Sequence, residues 1–184
     1  YNNGLYVNPI YTDYSTDGVS GWKKATFSAS AKNSAQEQSR EMEPSIFQKA
    51  NGDLVMIFRD NEAQDASERR VRASVSHDYG LTWSDPVATN LYDSKSKQCA
   101  GNLPDGTAFI VNNPVQSETR SPLVIHLSKD GETFSQSYLL RTGYTKTEDP
   151  TGGIQDRRGS AGSGYCYPKA MVHGDYLYVS YSTN

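Results

Sequence analysis

From Glu43 onward the apolar residues fall in short runs broken by Gly, Asn, Asp and Pro, and no window sustains a helical period. Ser45-Ile46-Phe47-Gln48 and the run Asp53 to Arg59 flank Asn51-Gly52, a hairpin signal, and read as the two inner strands of one sheet. Arg70 to Ser76 alternates polar and apolar residues as a half-buried strand does, and an outer strand follows near Pro86 to Thr89. The cycle then repeats. Leu103-Pro104-Asp105-Gly106 is the next turn, and Thr107 to Val111, Leu123 to Leu127 and Ser137 to Leu140 are the next strands. A third cycle starts at Tyr167 to Val172, turns at Gly174-Asp175 and runs through Tyr176 to Tyr181. Two stretches break this grammar: Ser28 to Met42, rich in Ser, Ala and Gln, and Thr142 to Gly164, rich in Gly, Thr and charge. Each precedes the innermost strand of a cycle, where long connections commonly wall a ligand site.

The turns carry a second periodicity. Ser76-His77-Asp78-Tyr79-Gly80-Leu81-Thr82-Trp83 has the form S-x-D-x-G-x-T-W, the Asp-box turn. Its Asp78 carboxylate suits backbone N–H donors, Gly80 suits positive φ, and Trp83 suits an apolar plug beneath the hairpin. Ser128 to Phe134 is a shorter copy, and Ser15 to Trp22 keeps the Ser, Asp, Gly and Trp. The starts at 15, 76 and 128 lie one four-stranded blade apart. The expected fold is therefore an all-β β-propeller with about three blades in this chain. The divisions are a blade fragment at 1–27, blades at about 43–92 and 97–141, and the start of another at about 165–184. Because propellers close with about four to eight blades, the remaining blades are expected from a missing N-terminal part.

Composition narrows the function classes. Hydrophobic content of 35% with 13 Tyr and 15 Gly suits a turn-rich β protein whose half-buried strands carry aromatics. The net charge of -3 argues against nucleic acid or an anionic membrane as partner, so any preference for anions has to be local. No apolar run is long enough for a membrane span. Cys99 and Cys166 show no metal-ligand spacing, and both are expected to be buried or half-buried, with their disulfide state open. His77 sits in a turn, while His126 and His173 lie on or beside strands without paired ligands, so neither a metal nor a cofactor is expected. Arg157-Arg158 reads as solvated loop charge.

Glu43-Pro44-Ser45, the run Gly52 to Asp60 and the Asp box after them resemble the central blades of the sialidase (neuraminidase) superfamily, with its BNR/Asp-box repeats. In that family a Glu opens an inner strand and an Arg ends the adjacent one, the places of Glu43 and Arg59. A further Arg precedes the next Asp box by one strand, and Arg120 stands there, in Thr119-Arg120-Ser121-Pro122. A Tyr then opens the following inner strand. Ser163-Gly164-Tyr165-Cys166-Tyr167-Pro168 offers Tyr165 and Tyr167, and counting back from the next turn favours Tyr167.

The resemblance implies a propeller of six blades when complete and an exo-acting, retaining glycoside hydrolase. It would remove terminal sialic acid from sialylated or other acidic glycans, in an extracellular or periplasmic setting. Arg59 and Arg120 would clamp the substrate carboxylate, which guanidinium groups recognise bidentately. Tyr167 would be the nucleophile and Glu43 its base, because a neutral phenol approaches a carboxylate-bearing sugar without the repulsion a carboxylate would meet. Each residue also has a plain structural use: a surface ion pair for either Arg, packing for the Tyr, and a loop end for Glu43. The family's first Arg and its acid/base Asp have no counterpart here, so this chain alone is expected to be inactive. Pro168 stands where the family pattern has Ser, which leaves open a lyase or glycosidase acting on uronic-acid glycans. A non-catalytic glycan-binding propeller is also open, since Asp boxes serve the fold.

Overall fold

The computed structural model describes residues 10–27, 40–62, 65–143, 147–148, 154–155 and 162–183. In chain order the strands are β1 (Asp13–Tyr14), β2 (Lys23–Lys24), β3 (Thr26–Phe27), β4 (Glu41–Gln48), β5 (Leu54–Asp60), β6 (Arg70–Ser76), β7 (Thr82–Trp83) and β8 (Val87–Tyr92). They continue as β9 (Cys99–Asn102), β10 (Ala108–Asn112), β11 (Leu123–Ser128), β12 (Gln136–Arg141), β13 (Thr147–Glu148), β14 (Ile154–Gln155), β15 (Tyr165–His173) and β16 (Tyr176–Thr183). One 3-10 turn, Ala66–Glu68, precedes β6. Most of the two long connections, and Arg157-Arg158 with them, lie outside the described residues.

Two four-stranded antiparallel sheets dominate, in the orders β4-β5-β6-β8 and β9-β10-β11-β12, and β15 and β16 form a hairpin. Each sheet runs outward in chain order, as propeller blades do. The fold is all-β and propeller-type. The first strands stand side by side: Ser45 Oγ accepts from Ala100 N at 2.8 Å, and Asn102 exchanges hydrogen bonds with the Gln48 backbone at 2.8 Å each way. On its other side β9 packs against β15. Blade stacking covers both faces of the middle strands, so β10 is buried at every position instead of alternating. Phe47, Val55, Ile57, Val71, Ala73, Ala108 and Ile110 form the apolar layer between the two sheets. Phe109, Val111, Leu123, Ile125 and Tyr165 form the next layer.

The three Asp boxes share a hydrogen-bond pattern but differ in what lies beneath. Asp78 accepts from Thr82 N at 2.9 Å, Thr82 Oγ1 at 2.6 Å and Ser76 Oγ at 2.8 Å. Asp130 accepts from Ser128 Oγ at 2.7 Å and from the N–H groups of Glu132 and Thr133 at 2.8 Å. The donors stabilise the ionised carboxylates, so Asp78, chiefly through Thr82, and Asp130, chiefly through Ser128, are both pulled down to about 2. Asp17 is held lower still, first by the Ser20 backbone. Trp83 is the expected plug, 5% exposed, with Nε1 donating to Gly80 O at 3.1 Å. Phe134 takes that place in the third box and meets Phe47 edge-on at 5.7 Å. Trp22 does not plug its box: it is 57% exposed, and among the described residues β1 and β2 form only a two-residue ladder.

Candidate functional site

The first strands of two sheets carry the same irregularity. Met42 pairs with Arg59 and Ser45 with Ile57, so Glu43 and Pro44 together oppose Phe58. Likewise Cys166 pairs with Ser182 and Lys169 with Ser180, so Tyr167 and Pro168 together oppose Tyr181. Each is a β-bulge, and each puts a non-glycine residue at positive φ, 53° for Glu43 and 51° for Tyr167. Such a backbone costs about 1–3 kcal/mol, and this kind of strain clusters at functional sites. The following proline has no N–H, so the extra residue leaves no donor stranded in the ladder. The sequence suggested that Glu43 opens its strand. In the structure β4 begins at Glu41, and Glu43 is lifted out of the ladder inside it.

The bulges bring the four candidate residues together as two pairs. Arg59, at the end of β5, donates from Nη1 to Glu43 Oε2 at 3.2 Å, and its Nε is buried without a partner. The Arg120 guanidinium carbon lies 4.9 Å from the centroid of the Tyr167 ring, a cation–π contact. Burial works against the Arg120 charge, but the side chains of Cys166 and Tyr167 outweigh it and hold its pKa above the ordinary value. No hydrogen bond among the described residues joins Glu43 to Tyr167. The two tyrosines of β15 have different surroundings. Tyr165 is 7% exposed, its hydroxyl donates to Thr142 O at 2.9 Å and its ring stands edge-on to Tyr181 at 5.6 Å. Tyr167 is 44% exposed.

Arg120 is fixed through its backbone. Its N–H donates to Ser163 O at 2.7 Å, and its carbonyl accepts from Tyr165 N at 2.8 Å and Asn113 Nδ2 at 2.9 Å. This ties the segment before β11 to the entry of β15 in a parallel bridge with Gly164. Gly164 has φ 117°, and a Cβ there would collide with the Arg120 carbonyl, so both conformation and space require glycine. Both free cysteines flank this region, Cys99 half-buried and Cys166 buried.

Under the Glu43–Arg59 pair lies a layer of buried charge that the sequence did not single out. Asp60, fully buried, accepts from Arg40 Nε at 2.7 Å and Nη2 at 2.8 Å, and from Glu62 N at 3.0 Å. Arg72 pairs with Glu41 and donates to Pro86 O at 2.9 Å. Asp93, 1% exposed, accepts from Asp60 N at 2.6 Å, Ser96 N at 3.2 Å and Gln98 Nε2 at 2.9 Å. Burial still wins over those donors and pushes its pKa up to about 7. Above this layer Arg69 and Lys95 both reach Glu118, at 3.0 and 3.5 Å, and link the loops of neighbouring sheets. A cleft of about 550 Å³ lies at the far ends of the first strands, lined by Gln48, Lys49, Asn102, Pro104 and Asp105, well away from the bulges. Among the described residues no three His, Cys, Asp or Glu side chains converge as metal ligands. No described helix is long and apolar enough to cross a membrane.

Stacked four-stranded sheets, three Asp boxes and arginines at strand ends define a sialidase-like propeller. Residues 6–179 match the model of the BNR repeat-like domain, and the chain belongs to that family. It is similar in structure to a sialidase with 28% identity and TM-score 0.53, over 80% of this chain and 14% of that one. It is also similar to a mutant of the NanB sialidase from Streptococcus pneumoniae, with 17% identity and TM-score 0.59, over 94% of this chain and 24% of that one. A third likeness is to the intramolecular trans-sialidase from Ruminococcus gnavus in complex with oseltamivir carboxylate. That match has 20% identity and TM-score 0.52, over 77% of this chain and 32% of the other. The chain thus spans less than a third of each of these proteins. A search of curated proteins finds no match.

Proposed function

We propose that this chain supplies part of the active site of an exo-acting, retaining sialidase-like glycoside hydrolase, which removes terminal sialic acid from acidic glycans outside the cytoplasm. The observation that carries the reading is the repeated bulge. It lifts a Glu and a Tyr from the first strands of two sheets and gives each an arginine neighbour. On this reading Arg120 and Arg59 bind the sugar carboxylate, and the Tyr167 phenol attacks the anomeric carbon. The glycosidic bond breaks as the new carbon–oxygen bond forms, and the phenol proton passes to Glu43. Water then attacks the same carbon and restores free Tyr167, with net retention. Protonation of the leaving group and the third cationic contact fall to residues outside these four, supplied by other blades.

The test is release of the fluorophore from a fluorogenic α-sialoside by the complete protein, beside Tyr167→Phe and Arg120→Ala variants with unchanged melting behaviour. Loss of about 10³-fold or more in kcat for Tyr167→Phe, with a smaller kcat loss and a raised KM for Arg120→Ala, is the expected result. An inactive, folded parent would overturn the sialidase reading. A second reading is a uronate-active lyase, favoured by Pro168 in place of the family's Ser. A near-ultraviolet chromophore formed from a uronic-acid glycan would identify it.

A further inference from the structure

The two candidate arginines are held in different ways. Arg59 ends β5 and is placed by its ladder, opposite Met42, whereas Arg120 stands outside the four-stranded sheets, in the connection from β10 to β11. The Arg120 side chain meets Tyr167 and Cys166 but no carboxylate among the described residues, and its Nε is buried without a partner. Its aim therefore depends on where its backbone is anchored. Two residues earlier, Glu118 supplies an anchor at both of its ends. The Glu118 carbonyl accepts from Gly162 N at 2.7 Å, beside the contacts of Arg120 N with Ser163 O at 2.7 Å and of Tyr165 N with Arg120 O at 2.8 Å. The Glu118 carboxylate reaches the other way: its Oε1 accepts from Arg69 Nη2 at 3.0 Å and from Lys95 Nζ at 3.5 Å.

Arg69 makes this more than a surface ion pair. It is 2% exposed, and its Nε donates at 2.7 Å to the carbonyl of Glu62, three residues beyond Arg59. One buried guanidinium thus spans from the end of the Arg59 strand to the segment that carries Arg120. Exposed pairs contribute little because both side chains lose freedom in water, but here burial has already fixed the arginine. Gln116 adds a second tie from the same segment, donating to Ser67 O just before β6. Two guanidinium groups that share one carboxylate must keep their spacing to within about 0.5–1 Å, since a misplacement of that size forfeits much of the interaction. The Arg69–Glu118 link crosses between the two arginines that have to meet this demand.

We propose that Glu118 is a positioning residue: pinned to Arg69, it holds Arg120 at the distance from Arg59 at which both guanidinium groups reach one sugar carboxylate. The proposal rests on the acidic-glycan reading above but not on sialic acid in particular. The experiment takes the complete protein, Glu118→Ala and Glu118→Gln, each with and without Arg120→Ala, after thermal melts show that all are folded. It measures affinity for N-acetylneuraminic acid and for a glucuronate-bearing disaccharide by NMR titration. Ala and Gln remove the same charge, but only Gln keeps an oxygen for Arg69, so the difference between them reports the tie. Glu118→Ala is expected to bind the acidic sugar that the parent takes roughly tenfold more weakly than Glu118→Gln does, and the difference should shrink to within about twofold once Arg120 is alanine. A purely structural role would leave the difference in both backgrounds. If Glu118→Ala does not fold, Arg69→Met breaks the same tie from the other side. Read at high salt, where the lost charge counts least, it should weaken binding by a similar factor and again only while Arg120 is present. Equal affinity of Glu118→Ala and Glu118→Gln, or a loss that survives Arg120→Ala, in a parent that binds either sugar, would overturn the role of Glu118 while leaving the hydrolase reading standing. A parent that binds glucuronate but neither binds nor cleaves the sialoside would overturn the sialidase reading alone. A parent that binds neither acidic sugar would overturn the acidic-glycan reading and the role of Glu118 with it.

Discussion

Carboxylates at the two ends of these sheets live under opposite rules. In the Asp boxes, Asp78 and Asp130 sit in water, ringed by the hydroxyl and N–H donors of their own turns, and are pulled down to about 2. Under the candidate site, Asp93 is buried beside Asp60 and is pushed up to about 7, although three donors reach it. Hydrogen bonds alone therefore do not decide a carboxylate's charge; loss of water can outweigh them. One end uses charge to pin turns, and the other stores charge as a platform for arginines.

The strongest break in this contrast is Arg40→Ala. It leaves the fully buried Asp60 without its bidentate partner, and the expected cost is about 3–5 kcal/mol, read by urea unfolding. Next comes the pH dependence. Asp93 holds its proton more tightly folded than unfolded, so its contribution to stability is retained below about pH 4 and falls away as the pH rises towards 7. An Asp93→Asn variant should flatten that limb, worth a few kcal/mol at most, in urea midpoints measured from pH 5 to 8. The Asp-box carboxylates have the opposite sign: their contribution is complete above about pH 4 and lost as the pH falls towards 2. Asp78→Ala should therefore lower the melting temperature at pH 7 but match the parent near pH 2. The smallest effect is expected from Asp17→Ala, whose box closes over no buried aromatic. Equal losses from Asp78→Ala and Asp17→Ala would show that the turn matters and the plug beneath it does not.

Much of the architecture was legible because it is local. Arg70 to Ser76 reads as a strand from its alternation and is β6; Leu54 to Arg59 lies within β5; the turn starts at 76 and 128 are the last residues of β6 and β11. Trp22 marks the limit of local reading, since a motif gives the aromatic position and not the sheet that must cover it. The sequence names four candidate positions but not the geometry around them. Its supporting pairs join residues far apart in the chain, Arg40 with Asp60, Glu41 with Arg72 and Asp60 with Asp93, and no spacing rule reports such partners. Bulges are equally silent. They shift side-chain alternation by one residue, so counting back from the next turn favours Tyr167 over Tyr165 without reporting that one is packed and the other open.

The paired Glu43-Pro44 and Tyr167-Pro168 bulges act as sockets. Backbone shape, not side-chain packing, sets the height and position of whatever residue occupies them, and the ladder on either side closes without its help. A socket of this kind uncouples chemistry from folding. A lineage built on this scaffold can exchange acid, phenol or amide at the two positions and acquire a new reaction or lose one, while the stacked sheets beneath continue to fold as before.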